Sequence, residues 1–222
     1  MDSTNLFDVS GKTALVVGAT GAFGMVAAEA LACAGCNLVL TGGNVQALKK
    51  IETVCTKQGV KTSSLNKRPV NQEICESIVS ETVKEFGSID ILVVASGINK
   101  VAKIDEMDPE TFSNVMNVNV TQSWLIARAT ASKMKKQNTG GKIVLVSSAR
   151  GLLGHPAGYT AYCSSKAAID GMTKALGCEL GGSNITVNAI APTVFRSPLT
   201  AWMFEDNMDA KKVRQGFLTR VP

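Results

Sequence analysis

The chain has 222 residues, enough for one large domain, of which 45% are hydrophobic and 18% are charged. This composition excludes a disordered chain, and a net charge of +5 spread along the sequence does not indicate a protein that coats nucleic acid. The first residues lack a basic region followed by an apolar run, and glycines interrupt the apolar stretch 13–40. We therefore expect a cytoplasmic protein without a secretory signal that binds neither membranes nor nucleic acid.

Short apolar runs rich in β-forming residues alternate along the chain with longer amphipathic stretches. The predicted strands are, in chain order, 13–17, 37–40, 63–68, 89–94, 142–146 and 185–190. The predicted helices are 22–33, 45–57, 72–86, 110–131 with a possible break, and 161–180. Such alternation is typical of strand–helix–strand units with right-handed crossovers. It predicts a doubly wound parallel α/β sheet, a Rossmann fold in a single domain 1–222, with ligands beyond the carboxyl ends of its strands.

The first predicted strand leads directly into a glycine-rich turn and then a helix. Glycines allow the backbone to approach phosphates closely, and the free N–H groups and dipole of a helix N-terminus favour an anion. The common G-x-G-x-x-G spacing is absent, but the position after the first strand predicts a turn that binds a pyrophosphate. The expected dinucleotide contacts are Gly18, Thr20, Gly21, Phe23 and Gly24.

The residues after the second predicted strand bear on the choice between NAD and NADP. An acidic side chain there would bind the ribose hydroxyls of NAD, and a basic one would accommodate the phosphate of NADP. The segment 41–44 is Thr-Gly-Gly-Asn and carries neither charge, so both cofactors stay open. The absence of a carboxylate slightly favours NADP. Thr41 and Gly42 are expected to line this part of the site.

A tyrosine and a lysine stand four positions apart on a predicted helix, after a serine that follows the strand 142–146. The spacing puts Tyr162 and Lys166 on one helical face. Hydride transfer to a carbonyl generates an alkoxide that needs a proton, and a phenol donates one better when a cation stabilises its phenolate. We predict that Tyr162 is the general acid and base, that Lys166 is the cation, and that Ser148 holds the substrate oxygen.

Together these ordered motifs resemble those of the classical short-chain dehydrogenase/reductase family, over nearly the whole chain from Asp8 to Pro222. The glycine-rich turn is similar to the family's T-G-x-x-x-G-x-G, with Val17 in place of the threonine and Ala22 in place of the middle glycine. The resemblance implies an NAD(P)-dependent oxidoreductase that interconverts a small alcohol and a ketone. It also implies a homo-oligomer, a tetramer or a dimer, built partly on the helices 110–131 and 161–180.

The resemblance implies further site residues. Asn119, rather than the neighbouring Asn117, matches the family's helix asparagine, which helps to hold a proton-relay water near the lysine. Pro69 stands where the family has an aspartate that contacts adenine. The remaining cofactor positions that the resemblance implies are Val70, Ser96, Gly97, Pro192, Val194 and Ser197.

The substrate pocket is expected to lie between variable loops, with a lid around 197–216. Candidate substrate contacts are Arg150, His155 and Trp202, although a solvated arginine and a structural loop histidine are alternatives for the first two. Sugar acids, steroids, acyl thioesters and simple ketones all stay open as substrates. No metal site is expected, because the C-x-x-C pair Cys33 and Cys36 lacks two further ligands.

Members of the family continue through another helix and a last strand after the position of Pro222. We therefore expect roughly thirty further residues in the natural protein, enough for one helix and one strand, and these leave open an organelle signal. Two other functions fit the same fold: a catalytically weak dinucleotide sensor or interaction protein, and an isomerase or dehydratase. The joint presence of Ser148, Tyr162, Lys166 and Asn119 favours the oxidoreductase, because a sensor has no need of an activated phenol.

Overall fold

Six strands form one parallel sheet in the computed structural model, which describes residues 7–195 and 200–218. They are β1 (Thr13–Val17), β2 (Asn37–Thr41), β3 (Thr62–Leu65), β4 (Ile91–Val94), β5 (Gly141–Val146) and β6 (Ile185–Ile190). Their order across the sheet is β3-β2-β1-β4-β5-β6, so the direction of winding reverses between β1 and β4. Doubly wound sheets of this order bind dinucleotides at the reversal. The predicted fold is confirmed.

The described helices lie in two compact units, Met1–Ala191 and Pro192–Pro222. The first unit contains α1 (Ala22–Cys33), α2 (Val45–Thr56), α3 (Gln72–Phe86), α4 (Pro109–Met116), α5 (Gln122–Gln137) and α6 (Thr160–Leu180). The second contains α7 (Met208–Leu218), whose Arg214 donates hydrogen bonds to the carbonyl oxygens of Met203 and Glu205. The single domain 1–222 with a lid around 197–216 stays a prediction.

Alternate residues of the strands face two separate hydrophobic layers. In β1, Leu15 and Val17 pack in the layer that includes residues of α3, α5 and α6, whereas Ala14 and Val16 pack in the layer with α1 and α2. Successive side chains of a strand point to opposite faces, so helices on both sides leave the central strands without a polar face. This explains why the central strands β1 and β4 appear in the sequence as continuous apolar runs.

Several elements differ from their predicted boundaries, β3 among them, and for two of the differences the structure gives a reason. Ile89 is fully buried, but β4 begins only at Ile91 because the side chain of Gln137 takes both backbone hydrogen bonds of Ile89. The expected break in the helix 110–131 is a π-helical turn, Asn117–Thr121, that joins α4 to α5. The second part then continues beyond the predicted end to Gln137, where Asn138 adopts a left-handed conformation (φ 56°).

Part of the apolar surface of α5 is covered within the first unit and cannot serve an oligomer. Ile126 and Met134 are both fully buried in the core of this unit. Trp124 stays 43% exposed on α5, with the Arg128 guanidinium 5.8 Å from the centroid of its ring. Trp124 is therefore a large apolar side chain of α5 that stays accessible for an oligomer contact.

Within the described parts of the chain, none of the helices is both long and apolar enough to cross a membrane.

Candidate active site

The glycine-rich turn after β1 depends on two of its glycines. Gly18 has a positive φ of 81°, and a Cβ there would come within 2.6 Å of the backbone nitrogen of Ser96. A Cβ at Gly24 would come within 2.1 Å of the Gly18 carbonyl oxygen. Gly21 differs, because a Cβ there would meet that oxygen at an ordinary 3.4 Å. The first and last glycines therefore allow α1 to begin tightly against the end of β1.

The N-terminus of α1 is left without the side-chain cap that neighbouring helices have. The N-caps of α2, α3 and α4 are Asn44, Asn71 and Asp108, and their side chains accept hydrogen bonds from first-turn N–H groups. The N-cap of α1 is Gly21, which has no side chain to accept, and the first turn contains no acidic residue. Such a helix end suits an anionic group, because its N–H groups and dipole favour negative charge.

A second part of the candidate site lies at the carboxyl ends of β2 and β3. The side chain of Thr20 packs on Gly42, where an added Cβ would lie 2.9 Å from Thr20 Oγ1. The exposed Arg68 reaches over the neighbouring Gly43, where an added Cβ would lie 2.1 Å from Arg68 Nε. A guanidinium thus lies beside the turn after β2, where the sequence segment 41–44 itself offered no charge. This residue was missed at the sequence level.

The loop after β4 connects the glycine-rich turn with the predicted catalytic residues. The side-chain oxygen of Ser96, whose backbone contacts Gly18, is buried without a hydrogen-bond partner among the described residues. A Cβ at Gly97 would lie 3.2 Å from Asn119 Oδ1 and 3.6 Å from Lys166 Nζ. Because Ser96 and Gly97 are small, they leave room between the glycine-rich turn and the Lys166 side chain.

The predicted catalytic side chains meet at the carboxyl end of β5. Ser148 follows β5, and its side chain hydrogen-bonds to that of Tyr162 near the start of α6. The Lys166 ammonium lies 5.6 Å from the centroid of the Tyr162 ring and donates a hydrogen bond of 2.7 Å to the carbonyl oxygen of Val146. The helix spacing of the two residues thus places the cation beside the phenol, as the sequence predicted.

Burial changes the acidity of both groups. Burial raises the pKa of Tyr162, and the hydrogen bond from Ser148 acts in the opposite direction, so the phenol is protonated at neutral pH. Burial also lowers the pKa of Lys166 to about 8, while the nearby Asp170 carboxylate raises it. A protonated phenol beside a cation that is mostly charged at neutral pH is the arrangement needed to give a proton to a developing alkoxide.

The π-helical turn presents Asn119 to the site and leaves Asn117 at the surface. Asn119 is 1% exposed, donates to the carbonyl oxygen of Ile98 and to Ser165 Oγ, both at 2.9 Å, and accepts from the Ile98 nitrogen at 2.8 Å. Ser165 in turn donates to the carbonyl oxygen of Tyr162 at 2.8 Å. The amide therefore joins the loop after β4 to α6, and Ser165 is a second residue that sequence reasoning missed.

The loops on either side of Tyr162 are joined to each other. A Cβ at Gly158 would come within 2.3 Å of the Ala102 carbonyl oxygen, and the Ala102 nitrogen donates to the carbonyl oxygen of Gly158 at 3.1 Å. The side chain of Lys103 donates to the Pro156 carbonyl oxygen at 2.6 Å. These contacts hold the segment before α6 against the loop after β4.

Arg150 and His155 both make contacts within the loop that precedes α6. The Arg150 guanidinium donates to the Gly154 carbonyl oxygen at 2.8 Å. His155 Nδ1 accepts from the Ala157 nitrogen at 3.2 Å, and its ring centroid lies 4.4 Å from that of Tyr159. Both residues therefore shape the loop, and their proposed contacts with a substrate stay predictions.

Comparison with known proteins identifies the family. A family model described as short chain dehydrogenase matches residues 12–208. The chain belongs to the classical short-chain dehydrogenase/reductase family. A protein of Mycobacterium tuberculosis named as an uncharacterized oxidoreductase is 44% identical over 217 residues, covering 97% of this chain and 79% of the relative. The 3-oxoacyl-(acyl-carrier-protein) reductase of Rickettsia felis is 33% identical, over 98% of this chain and 84% of that protein.

Solved structures agree with this assignment. The crystal structure of an NAD+-bound xylitol dehydrogenase matches with a TM-score of 0.83 and 32% identity, over 88% of this chain and 75% of that chain. The resemblance read from the motifs is confirmed, and this dehydrogenase/reductase is an NAD(P)-dependent oxidoreductase that binds a nicotinamide dinucleotide.

The residues of this edge of the sheet fit such a dinucleotide. The uncapped N-terminus of α1 and the close approach allowed by Gly18 and Gly24 suit a pyrophosphate, and the orphaned Ser96 hydroxyl offers a polar contact beside it. Thr41 is buried, and its carbonyl oxygen accepts from the nitrogens of Gly18 and Ala19. The cofactor contacts predicted for these edge residues stay predictions: Gly18, Thr20, Gly21, Phe23, Gly24, Thr41, Gly42, Ser96 and Gly97.

The roles of the other predicted site residues stay predictions. Val70 belongs to the first unit and is 46% exposed after the buried Pro69. Pro192, Val194 and Trp202 belong to the second unit, where Trp202 is 52% exposed. Ser197 lies outside the described residues.

The cysteine pair shows no reactive thiolate at Cys36. Burial raises the pKa of the Cys36 thiol to about 12, and its sulfur donates to the Lys12 carbonyl oxygen at 3.1 Å. A thiol with this acidity stays protonated and is a poor ligand and nucleophile.

Proposed function

We propose that this dehydrogenase/reductase reduces a ketone to a secondary alcohol with NADPH, and that Tyr162 is the proton donor. The observation that carries the proposal is the contact of the Tyr162 side chain with both Ser148 and the Lys166 ammonium, on the sheet edge that also holds the glycine-rich turn. A phenol between a hydrogen-bonding hydroxyl and a cation suits general acid catalysis.

The chain's own groups divide the reaction between them. When bound, the dinucleotide supplies or accepts the hydride. The Ser148 hydroxyl would donate a hydrogen bond to the carbonyl oxygen of the substrate, and Tyr162 Oη would give its proton to that oxygen as negative charge develops there. The Lys166 ammonium would stabilise the phenolate that is left. Asn119 would keep the loop after β4 and α6 in register, because its amide bonds to both.

We propose NADP as the preferred cofactor because of Arg68. Its guanidinium lies over Gly43, in the turn after β2, which is the position that contacts the adenosine ribose in doubly wound sheets. Guanidinium groups bind phosphates bidentately, and no carboxylate from the segment 41–44 would oppose this. Asn44 is occupied in capping α2 through Ala47 and offers the ribose no charge.

The side chains around the site favour a substrate with an aliphatic part. Exposed aliphatic residues lie on the two joined loops near Tyr162: Val101 and Ile104 after β4, and Leu152 and Leu153 before α6. Cys163, next to Tyr162, contacts the Leu153 carbonyl oxygen through its sulfur at 3.7 Å. An aliphatic ketone would remove this apolar surface from water, whereas a polar sugar acid would leave it exposed to solvent.

The experiment is a screen of the purified protein with NADPH and with NADH against aliphatic ketones, polar ketones and a 3-oxoacyl thioester. Oxidation of the cofactor, followed by its absorbance, supports the proposal if aliphatic carbonyl compounds are reduced faster with NADPH. A product formed without oxidation of the cofactor would indicate an isomerase or dehydratase instead. Binding of the cofactor without turnover of any compound would indicate a sensor.

We also propose a homo-oligomer that uses α5 and α6, as the family resemblance implies. Trp124 on α5 is a large, partly exposed aromatic side chain, a type enriched in interfaces. Light scattering at micromolar concentration tests this, and a monomer would contradict it.

A further inference from the structure

The buried lysine of the site lacks a full counter-charge in direct contact. Lys166 is 5% exposed, and its ammonium donates to the neutral carbonyl oxygen of Val146 rather than to a carboxylate. A buried ammonium is unfavourable unless opposite charge compensates it. Something else in the surroundings of Lys166 must therefore help to keep it protonated.

An unexplained carboxylate lies one helical turn further along α6. Asp170 and Lys166 have the spacing i and i+4, which brings Cβ atoms to about 5–6 Å on one helical face. Asp170 Oδ2 is buried and has no hydrogen-bond partner among the described residues. A carboxylate oxygen buried in this way is costly and uncommon, so its position calls for a reason.

The turn that follows Ser148 encloses this carboxylate. A Cβ at Gly151 would come within 2.2 Å of Asp170 Oδ2 and within 3.1 Å of the Lys166 carbonyl oxygen. Gly151 therefore lets the 3-10 turn Ala149–Gly151 press directly on the segment of α6 that carries both charges. The same turn begins at Ser148, so the enclosure of Asp170 and the position of the substrate-binding hydroxyl are structurally linked.

Among the described residues, few other charged side chains lie on the elements that pack against α6. The elements that pack against α6 are β5, β6, α4, the π-helical turn and the 3-10 turns Ala149–Gly151 and Gly181–Ser183. Their titratable side chains are Lys142, Glu110 and Arg150. Arg150 is engaged with the Gly154 carbonyl oxygen. The charge that acts on Lys166 is that of Asp170, which raises the pKa of the lysine against the effect of burial.

We propose that Asp170 is a positioning residue for the reaction: its carboxylate, enclosed by Gly151 one turn after Lys166, keeps that lysine an ammonium beside Tyr162. The proposal rests on the proposed function, because the ammonium matters to catalysis only where the Tyr162 phenolate is formed. Asp170 acts through Lys166 and does not contact the reacting atoms in this scheme.

The direct test is a titration of Lys166 by NMR of its side-chain nitrogen, in wild-type protein and in Asp170→Asn, without cofactor or substrate. The Lys166 signal is assigned by its loss in Lys166→Met. The lysine should titrate near pH 8 in the wild type, and about one pH unit lower in the variant, since a nearby opposite charge shifts a pKa by about one unit or more. An unchanged midpoint would overturn the proposal.

Activity provides the second readout. In Asp170→Asn the reductive rate should fall at a pH about one unit lower than in the wild type, with little change well below that range. Asp170→Glu retains the charge and should keep the wild-type midpoint, and Glu179→Gln, at an exposed carboxylate of the same helix, should leave the profile unchanged.

The outcomes separate this proposal from the proposed function. Equal shifts in Asp170→Asn and Asp170→Glu would show that the exact shape of this side chain matters and its charge does not, and would overturn its role as a counter-charge. An Asp170→Asn protein that fails to fold would show that Asp170 serves the fold itself, and would overturn the proposal as well. A wild-type protein without turnover of any carbonyl compound would overturn the proposed function, while the NMR titration would still decide the role of Asp170.

Discussion

The two halves of the site are built on different principles. The predicted catalytic half consists of polar side chains that are held in place by hydrogen bonds: Asn119 bonds to Ser165, and Ser165 bonds to the Tyr162 backbone. The Lys166 ammonium lies beside the Tyr162 ring. The dinucleotide half consists mainly of backbone and of missing side chains, with the uncapped start of α1 behind Gly18. In the catalytic half, the proposed chemistry requires a particular side chain at each position. In the dinucleotide half, only a few positions, such as Gly18 and Gly24, exclude a side chain for steric reasons, and the residue type at the other positions can vary.

The largest effect is expected in the catalytic half. Tyr162→Phe removes the proton donor with little change in packing volume, so the rate should fall by about a hundredfold to ten-thousandfold. Affinity for the dinucleotide, measured by fluorescence titration, should stay close to that of the wild type. A variant that keeps more than about a tenth of the wild-type rate would remove Tyr162 from the role of proton donor.

In the dinucleotide half, we expect that one added methyl group is enough to displace the backbone that binds the cofactor. Gly18→Ala places a Cβ at positive φ and against the backbone of Ser96, so it should lower both the stability and the dinucleotide affinity. Gly59→Ala is the matched control, because Gly59 has nearly the same φ, 84°, but nothing within 4 Å of the added Cβ.

The control should show the conformational cost alone, about 1–2 kcal/mol of unfolding free energy, with normal cofactor binding. Chemical denaturation of both variants measures the difference. Equal losses in the two proteins would mean that the contact between Gly18 and Ser96 is unimportant, and that this half of the site is less restricted than the structure indicates.

Two asparagines of the π-helical turn allow a buried, hydrogen-bonded side chain to be compared with an exposed one. Asn119→Ala leaves the backbone groups of Ile98 and the Ser165 hydroxyl without their partner, and should destabilise the protein by about 1–3 kcal/mol. The reductive rate should fall as well, since the loop after β4 loses its attachment. Asn117→Ala, two positions earlier and exposed, should be nearly neutral in thermal unfolding. Similar effects of the two substitutions would contradict this account of the π-helical turn.

The smallest effect is expected at Arg68, where one exposed side chain adds to a site made of backbone. Arg68→Gln should raise the KM for NADPH by about tenfold, the value of one charged hydrogen bond, and leave the KM for NADH unchanged. Arg128→Gln removes the same charge from α5 and serves as the control. If the KM values for both cofactors rise together in Arg68→Gln, the arginine does not select the phosphate.

The contrast also explains what could be predicted from the sequence. The strands β1 and β6 and the helices α1 and α3 have their predicted bounds, because continuous or periodic apolar residues mark them directly. Tyr162 and Lys166 could be found because their spacing on a helix brings the two functional groups together.

Arg68 could not be found in the same way. It lies beside Gly43 only because β2 and β3 are neighbours in the sheet, and a search for charge near the segment 41–44 does not reach it. Ser165 stands inside the Tyr162 to Lys166 motif, and a polar residue on the buried side of that helix was the available signal. The start of β4 after Ile89 could not be predicted either, because it depends on a hydrogen bond to Gln137, a residue of α5 that is distant in sequence.

We infer that this protein transfers a hydride to a carbonyl carbon while Tyr162 supplies the proton. The most direct measurement uses NADPH that carries deuterium on its nicotinamide ring, an aliphatic ketone found by screening, and mass spectrometry of the product. We expect an alcohol that contains one deuterium on the former carbonyl carbon with the wild type, and almost none in the same time with Tyr162→Phe. A product without deuterium, or an equally labelled product from Tyr162→Phe, would contradict it.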